Sequence, residues 1–166
     1  MYYGKIRKFD VANGPGIRCT LFVSGCTFNC PGCFNKESQN FKYGNLFTKE
    51  TEDEFISYAK NPNVAGVSLL GGEIMQQNTD EILSLVKRIK QETGKSIWCW
   101  TGYKYEDLIK MKDKVEILNY IDVLIDGQFI EDKKDYTLKY RGSSNQRVIN
   151  VKDSLKNNQI VLIDVN

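Results

Sequence analysis

Four apolar, β-rich runs recur along this chain with helix-patterned sequence between them, at residues 17–23, 64–70, 95–101 and 121–126. Runs of this length bounded by turn residues are strand-like. Between the second and third, Ile82, Leu83, Val86 and Ile89 form an apolar stripe. Thr79 stands as its N-cap, Asp80 and Glu81 suit the positive end of the helix, and Gly94 follows as the stop. A helix over about 50–59 precedes the second run, and one over about 105–111 follows the third. Strand and helix alternating in this order predict an α/β fold, a parallel sheet with helices on its outer face. Four core strands, with a later one around 148–151, predict a partial, open parallel βα barrel, a crescent rather than a closed ring. The length of 166 residues suits a single domain over 1–166.

In folds of this kind chemistry gathers at the C-terminal ends of the strands. The unusual local sequences all fall there. Three cysteines follow the first run, Gly71-Gly72-Glu73 the second, Thr101-Gly102 the third, and Asp126-Gly127 closes the fourth.

The first of these segments runs Cys26-Thr27-Phe28-Asn29-Cys30-Pro31-Gly32-Cys33. A polar Pro-Gly loop is a poor place to bury thiols for packing alone. The chain holds five cysteines, an odd number, and its N-terminus lacks the apolar core of a signal peptide. Metal or redox chemistry in the cytoplasm is therefore expected, rather than a disulfide framework. There is no histidine, which excludes Ser-His-Asp and Cys-His catalysis and zinc sites that need imidazole. Structural zinc wants four ligands. The remaining thiols, Cys19 and Cys99, sit inside strands and read as core residues, although Cys99 could approach from a neighbouring strand to complete a zinc site. Three thiolates with no fourth suit instead a 4Fe–4S cubane that keeps one iron without a protein ligand. Such an iron can chelate the amino and carboxylate groups of a methionine-type ligand. Hydrogen-atom abstraction by a carbon radical needs no general base, so the missing histidine costs this chemistry nothing.

The balance of 23 basic to 21 acidic residues, a net charge of +2, gives no footprint for nucleic acid. No apolar stretch approaches the roughly 20 residues of a membrane span.

Three cysteines at this spacing after a first strand are the signature of the radical S-adenosylmethionine (SAM) superfamily, which this chain resembles. The residue before the third cysteine, commonly aromatic there and in contact with adenine, is Gly32; Phe34, just after, offers apolar surface instead. Gly71-Gly72-Glu73 is by itself a tight strand-to-helix turn, and it resembles the superfamily motif that receives the amino group of SAM, with Ile74 where a proline is usual. Asn13-Gly14-Pro15-Gly16-Ile17-Arg18 reads as a turn into the first strand, and it resembles the activating enzymes of glycyl radical proteins. Trp100-Thr101-Gly102-Tyr103, Asp122 to Gly127 and Arg141-Gly142-Ser143-Ser144-Asn145-Gln146-Arg147 each have a plain reading as strand end, turn cap and polar loop. In this order they are similar to the activating components of anaerobic ribonucleoside-triphosphate reductases.

That resemblance implies a cluster on Cys26, Cys30 and Cys33 and SAM contacts from Gly32, Phe34, Gly71, Gly72, Glu73, Thr101 and Asp126. Arg18, Asn145 and Arg147 are weaker candidates for SAM or the partner. It further implies an oxidoreductase whose partners are the glycyl radical loop of a large reductase subunit and a small electron-donor protein. Trp98 and Trp100 alternate with Cys99 and share one face of their strand. Period alone leaves open whether that face is core or SAM cavity.

Overall fold

The computed structural model describes residues 1–34 and 36–165. Its strands are β1 (Tyr2–Asp10), β2 (Arg18–Val23), β3 (Asn45–Leu46), β4 (Gly66–Gly71), β5 (Ser96–Trp100), β6 (Val123–Asp126) and β7 (Arg147–Asn150). Its α-helices are α1 (Lys49–Ala59), α2 (Thr79–Thr93), α3 (Tyr105–Leu108), α4 (Lys112–Leu118) and α5 (Val151–Asn157). All seven strands join one open sheet in the order β3-β1-β2-β4-β5-β6-β7.

The four anticipated strands are its middle, β2, β4, β5 and β6, and they pair parallel in register. Both margins are antiparallel, with β1 and β3 on one side and β7 on the other, so the sheet is mixed rather than all parallel. The strand expected at 148–151 is Arg147–Asn150, and Val151 instead opens α5, where the Asn150 side chain caps the Asp153 N–H at 3.0 Å. The helix expected over 105–111 ends at Leu108, and a second, α4, follows.

α2 forms where its apolar stripe requires, burying Ile82, Leu85, Val86 and Ile89. Its N-cap is Asn78, whose side chain accepts from Glu81 N at 3.1 Å, and not Thr79. Thr79 is the first helical residue, and its hydroxyl donates to Asp113 of α4. Gly94 ends the helix in the left-handed region at φ 65°.

Side chains alternate across a strand, and the two faces of this sheet differ. Cys19, Leu21, Val23, Val67, Leu69, Ile97, Cys99 and Leu124 join Phe55, Ile82, Leu85, Ile117 and Leu118 of the helices in one buried cluster. Among the described residues no helix contributes to the cluster on the opposite face. There Trp98, Val123, Ile125 and Val148 form a smaller cluster with Trp100, Tyr140, Ile163 and Val165 packed on it. Trp98 is therefore core on that second face, while Trp100 is only half-buried. Among the described residues no helix is long and apolar enough to cross a membrane.

Candidate functional site

Register fixes where the parallel strands end. Val23 pairs with Gly71, Leu69 with Cys99, and Trp100 with Ile125. The segments after these residues therefore emerge on one rim. Cys26, Cys30, Cys33, Phe34, Gly71, Gly72, Glu73 and Thr101 all line a single cavity of about 490 Å³, with Trp100 and Tyr140 on its wall.

The cysteine loop is held from several sides. Gly25 N donates to Ser38 O at 2.6 Å and Cys26 N to Gln39 O at 3.2 Å, folding the chain back after the third cysteine. From the turn after β4, Gln76 Oε1 accepts from Thr27 N at 2.8 Å while its Nε2 donates to Thr27 Oγ1 at 2.9 Å and Tyr103 Oη at 3.3 Å. The Phe28 ring lies edge-on to Tyr103 with centroids 4.9 Å apart. Gly102 leaves room for this ring, since a Cβ there would stand 2.6 Å from it. Gln76 is a site-building residue that no spacing pattern in the sequence marks, whereas Tyr103 belongs to the Trp100-Thr101-Gly102-Tyr103 segment.

Burial pushes the Cys26 and Cys30 thiols up, and the negative charges of Cys33 and Glu73 nearby add to that effect. Cys19 and Cys99 are fully buried, and burial takes the Cys19 thiol to about 12. These are inert packing thiols.

Glu73 is buried, yet its carboxylate accepts three hydrogen bonds. Oε1 accepts from Gly102 N at 2.6 Å, and Oε2 accepts from Met75 N at 2.8 Å and Thr101 Oγ1 at 2.9 Å. Burial raises its pKa to about 7, outweighing the hydrogen bonds that pull it down. A carboxylate enclosed this way is tied to the ends of β4 and β5 and favours any cation brought beside it. The backbone comes close here too. Gly72 N donates to Val23 O and Glu73 N to Gly25 O, both at 2.7 Å.

A second cavity of about 890 Å³ adjoins the first, sharing Phe28, Gly102, Gly127, Gln128 and Phe129. Asp126, Asn145 and Arg147 line this one and not the cysteine cavity. The buried Asp126 carboxylate accepts from Tyr105 N at 2.8 Å and from Arg147 at 2.5 and 3.0 Å, and Arg147 also pairs with Glu106. Gly32 lines neither cavity; a Cβ there would meet the Glu131 carboxyl at 2.8 Å. Arg18 lies at the opposite end of β2. Its guanidinium is used by Ser68 Oγ, Val67 O, Pro15 O and both oxygens of Ser96.

Among the described residues no three Cys, Asp or Glu side chains converge closely enough to hold a single metal ion. The three loop thiols instead stand around an open space, with the other two cysteines buried on the far face of the sheet. That donor set does not fit four-coordinate zinc. Three thiols on one cavity are donors of the kind that suit an iron–sulfur group.

The comparisons with known proteins agree with this geometry. The family model of a 4Fe-4S single cluster domain matches residues 12–149. A protein of Salmonella typhi is 47% identical over 152 residues, covering 89% of this chain and 97% of that protein. One of Escherichia coli K12 is 46% identical over the same span. A third, from bacteriophage T4, is 41% identical over 150 residues, covering 89% of this chain and 93% of its own length. Each of the three is named anaerobic ribonucleoside-triphosphate reductase-activating protein.

Proposed function

The chain belongs to the family of anaerobic ribonucleoside-triphosphate reductase-activating proteins, and we propose that it activates its reductase by radical SAM chemistry. One observation carries this reading: the three loop cysteines and the Gly71-Gly72-Glu73 rim line one cavity. The open α/β sheet is, in this reading, the short crescent form of the radical SAM fold, a single domain acting in the cytoplasm.

When bound, the cluster supplies the electron that cleaves SAM to methionine and a 5′-deoxyadenosyl radical, which removes a hydrogen from a glycine of the reductase. Cys26, Cys30 and Cys33 hold the cluster as thiolates. Gly71 and Gly72 bring the backbone close to the methionyl part of SAM. Glu73 accepts the ammonium group, and Thr101 and the Gly102 N–H keep the carboxylate aimed. Trp100, Tyr140 and Phe34 supply apolar walls that keep water from the reacting bond. Glycine suits as the target, because flanking amides stabilise its α-radical and no side chain blocks approach. The partner subunit is the reductase that carries this glycine, and a small protein delivers the electron.

The experiment is anaerobic reconstitution with iron and sulfide, then electron paramagnetic resonance of the reduced protein with and without SAM. A 4Fe–4S signal that changes on SAM addition is the expected result, with iron retained in Cys19→Ala and Cys99→Ala and lost in Cys26→Ala, Cys30→Ala and Cys33→Ala. A colourless protein holding one zinc per chain would overturn the proposal.

A further inference from the structure

Cys30 is approached from across the sheet. The turn after β6 brings Gln128 to it, with Oε1 3.6 Å from the Cys30 sulfur. The thiol donates to the amide oxygen in this arrangement. A metal-bound thiolate has no proton to give, and the Gln128 amide turned about its last bond presents N–H in place of oxygen.

This turn is clamped in place. Asn145 Nδ2 donates to Gln128 O at 2.8 Å, Gln146 Nε2 donates to Gly127 O at 2.9 Å, and Ile130 N donates to the buried Ser143 hydroxyl at 3.2 Å. Gln146 Oε1 in turn accepts from Gly142 N at 2.8 Å and Ser143 N at 3.2 Å. The polar segment from Arg141 to Arg147 is therefore the scaffold for the turn that reaches Cys30. The Phe129 ring meets Phe34 at 4.9 Å between centroids and closes the same approach.

From this geometry we infer that Gln128 is a positioning residue for the Cys30 ligand, donating its amide N–H to the thiolate and thereby raising the reduction potential of the cluster. The inference rests on the cluster assignment of the preceding subsection. Hydrogen bonds to a ligand sulfur withdraw electron density and stabilise the reduced state, which is a recognised control on such potentials.

The test compares the reconstituted protein with Gln128→Leu and Gln128→Glu. Gln128 is exposed, so neither change disturbs the core. Iron and sulfide per chain are measured first, then the midpoint potential by redox titration followed by electron paramagnetic resonance. The expected result is equal loading in all three and a more negative potential in both variants. The glutamate is further shifted, because it loses the donor and adds a negative charge beside the thiolate. The leucine variant is the decisive arm, because it removes the donor without adding charge. Equal potentials in the leucine variant and the unmodified protein would overturn the inference. Loss of the cluster from both variants overturns it too, in favour of a role in assembly. Failure of the unmodified protein to take up iron is distinct, and it brings down the cluster assignment itself.

Discussion

Glu73 is a buried carboxylate with three hydrogen bonds and no ion-pair partner among the described residues. Its pKa of about 7 against 4.5 for an ordinary glutamate makes stability depend on pH in a definite direction. Between these values the folded protein keeps a proton that the unfolded chain has released. Stability therefore falls as pH rises through this window, by up to about 3 kcal/mol, and levels off above the folded value. Asp10 and Asp122 are both held below 3.8, Asp10 by its hydrogen bonds to Asn13 and Ala12 and Asp122 by those to Lys90 and Ile97 despite burial, and they titrate outside the window. Urea denaturation of the metal-free protein should show this fall between pH 4.5 and 7, and Glu73→Gln should flatten it. An unchanged slope in the variant would mean the carboxylate is not the group responsible. The place of Glu73 on the rim was readable in the sequence because the Gly-Gly-Glu turn closes a strand run on the same side as the cysteine loop, although the turn by itself reads only as a tight connection. Gln76 and Gln128 were not readable, since an amide in a turn carries no pattern and each acts on a loop that is distant in sequence.

Elements that bury a stripe, such as α2, or a continuous apolar run, such as β2, β4, β5 and β6, announced themselves. Those at the margins did not. β1 carries Lys5, Arg7 and Lys8 among its apolar residues, a composition that suits an edge strand and hides the alternation. β7 is four residues long and runs directly into α5, so its last apolar residue was taken for strand when it is helix. The rim itself can be tested by comparing two glycines of positive φ. Gly94 ends α2 at φ 65° with nothing near the space a Cβ would fill, so Gly94→Ala should cost about 1 kcal/mol. Gly71 ends β4 at φ 111°, and a Cβ there would stand 2.6 Å from Val23 O and 2.7 Å from Val23 N. Backbone of a neighbouring strand cannot give way cheaply, so Gly71→Ala should cost more than about 2 kcal/mol in the same denaturation measurement. Equal costs would show that the strand end is not tightly fixed. The turn that follows β4 makes a related prediction. Gln76→Ala leaves the Thr27 N–H and hydroxyl without their partner, so a thiol reagent should alkylate Cys26 several-fold faster in the metal-free variant. An unchanged rate would mean that Gln76 does not restrain the loop.

The sheet divides the molecule into two unequal layers, helices and the main core on one face, loops and a small aromatic cluster on the other. Whether these layers stand or fall together bears on function, because the cavity with the cysteines lies at the rim where they meet. The chain has two tryptophans, and Trp98 and Trp100 share the face opposite the main core, their centroids 6.1 Å apart. All tryptophan emission therefore reports the cavity side, whereas far-ultraviolet circular dichroism is dominated by the helices opposite. β5, β6 and β7 each contribute side chains to both layers, Trp98 against Ile97 and Cys99, Val123 and Ile125 against Leu124, and Val148 against Ile149. Loss of either layer exposes half of each of these strands, and the two layers should melt as a unit. Thermal unfolding of the metal-free protein is thus expected to give coincident transitions by the two probes, with an enthalpy of about 120 kcal/mol for a chain of this length near 60 °C. Tryptophan emission that changes well below the circular dichroism transition would show the cavity face to be an independent unit. Ligand binding would then order that face rather than find it formed, and the hydrogen-bonded rim of Glu73, Thr101 and Gly102 would be a product of binding.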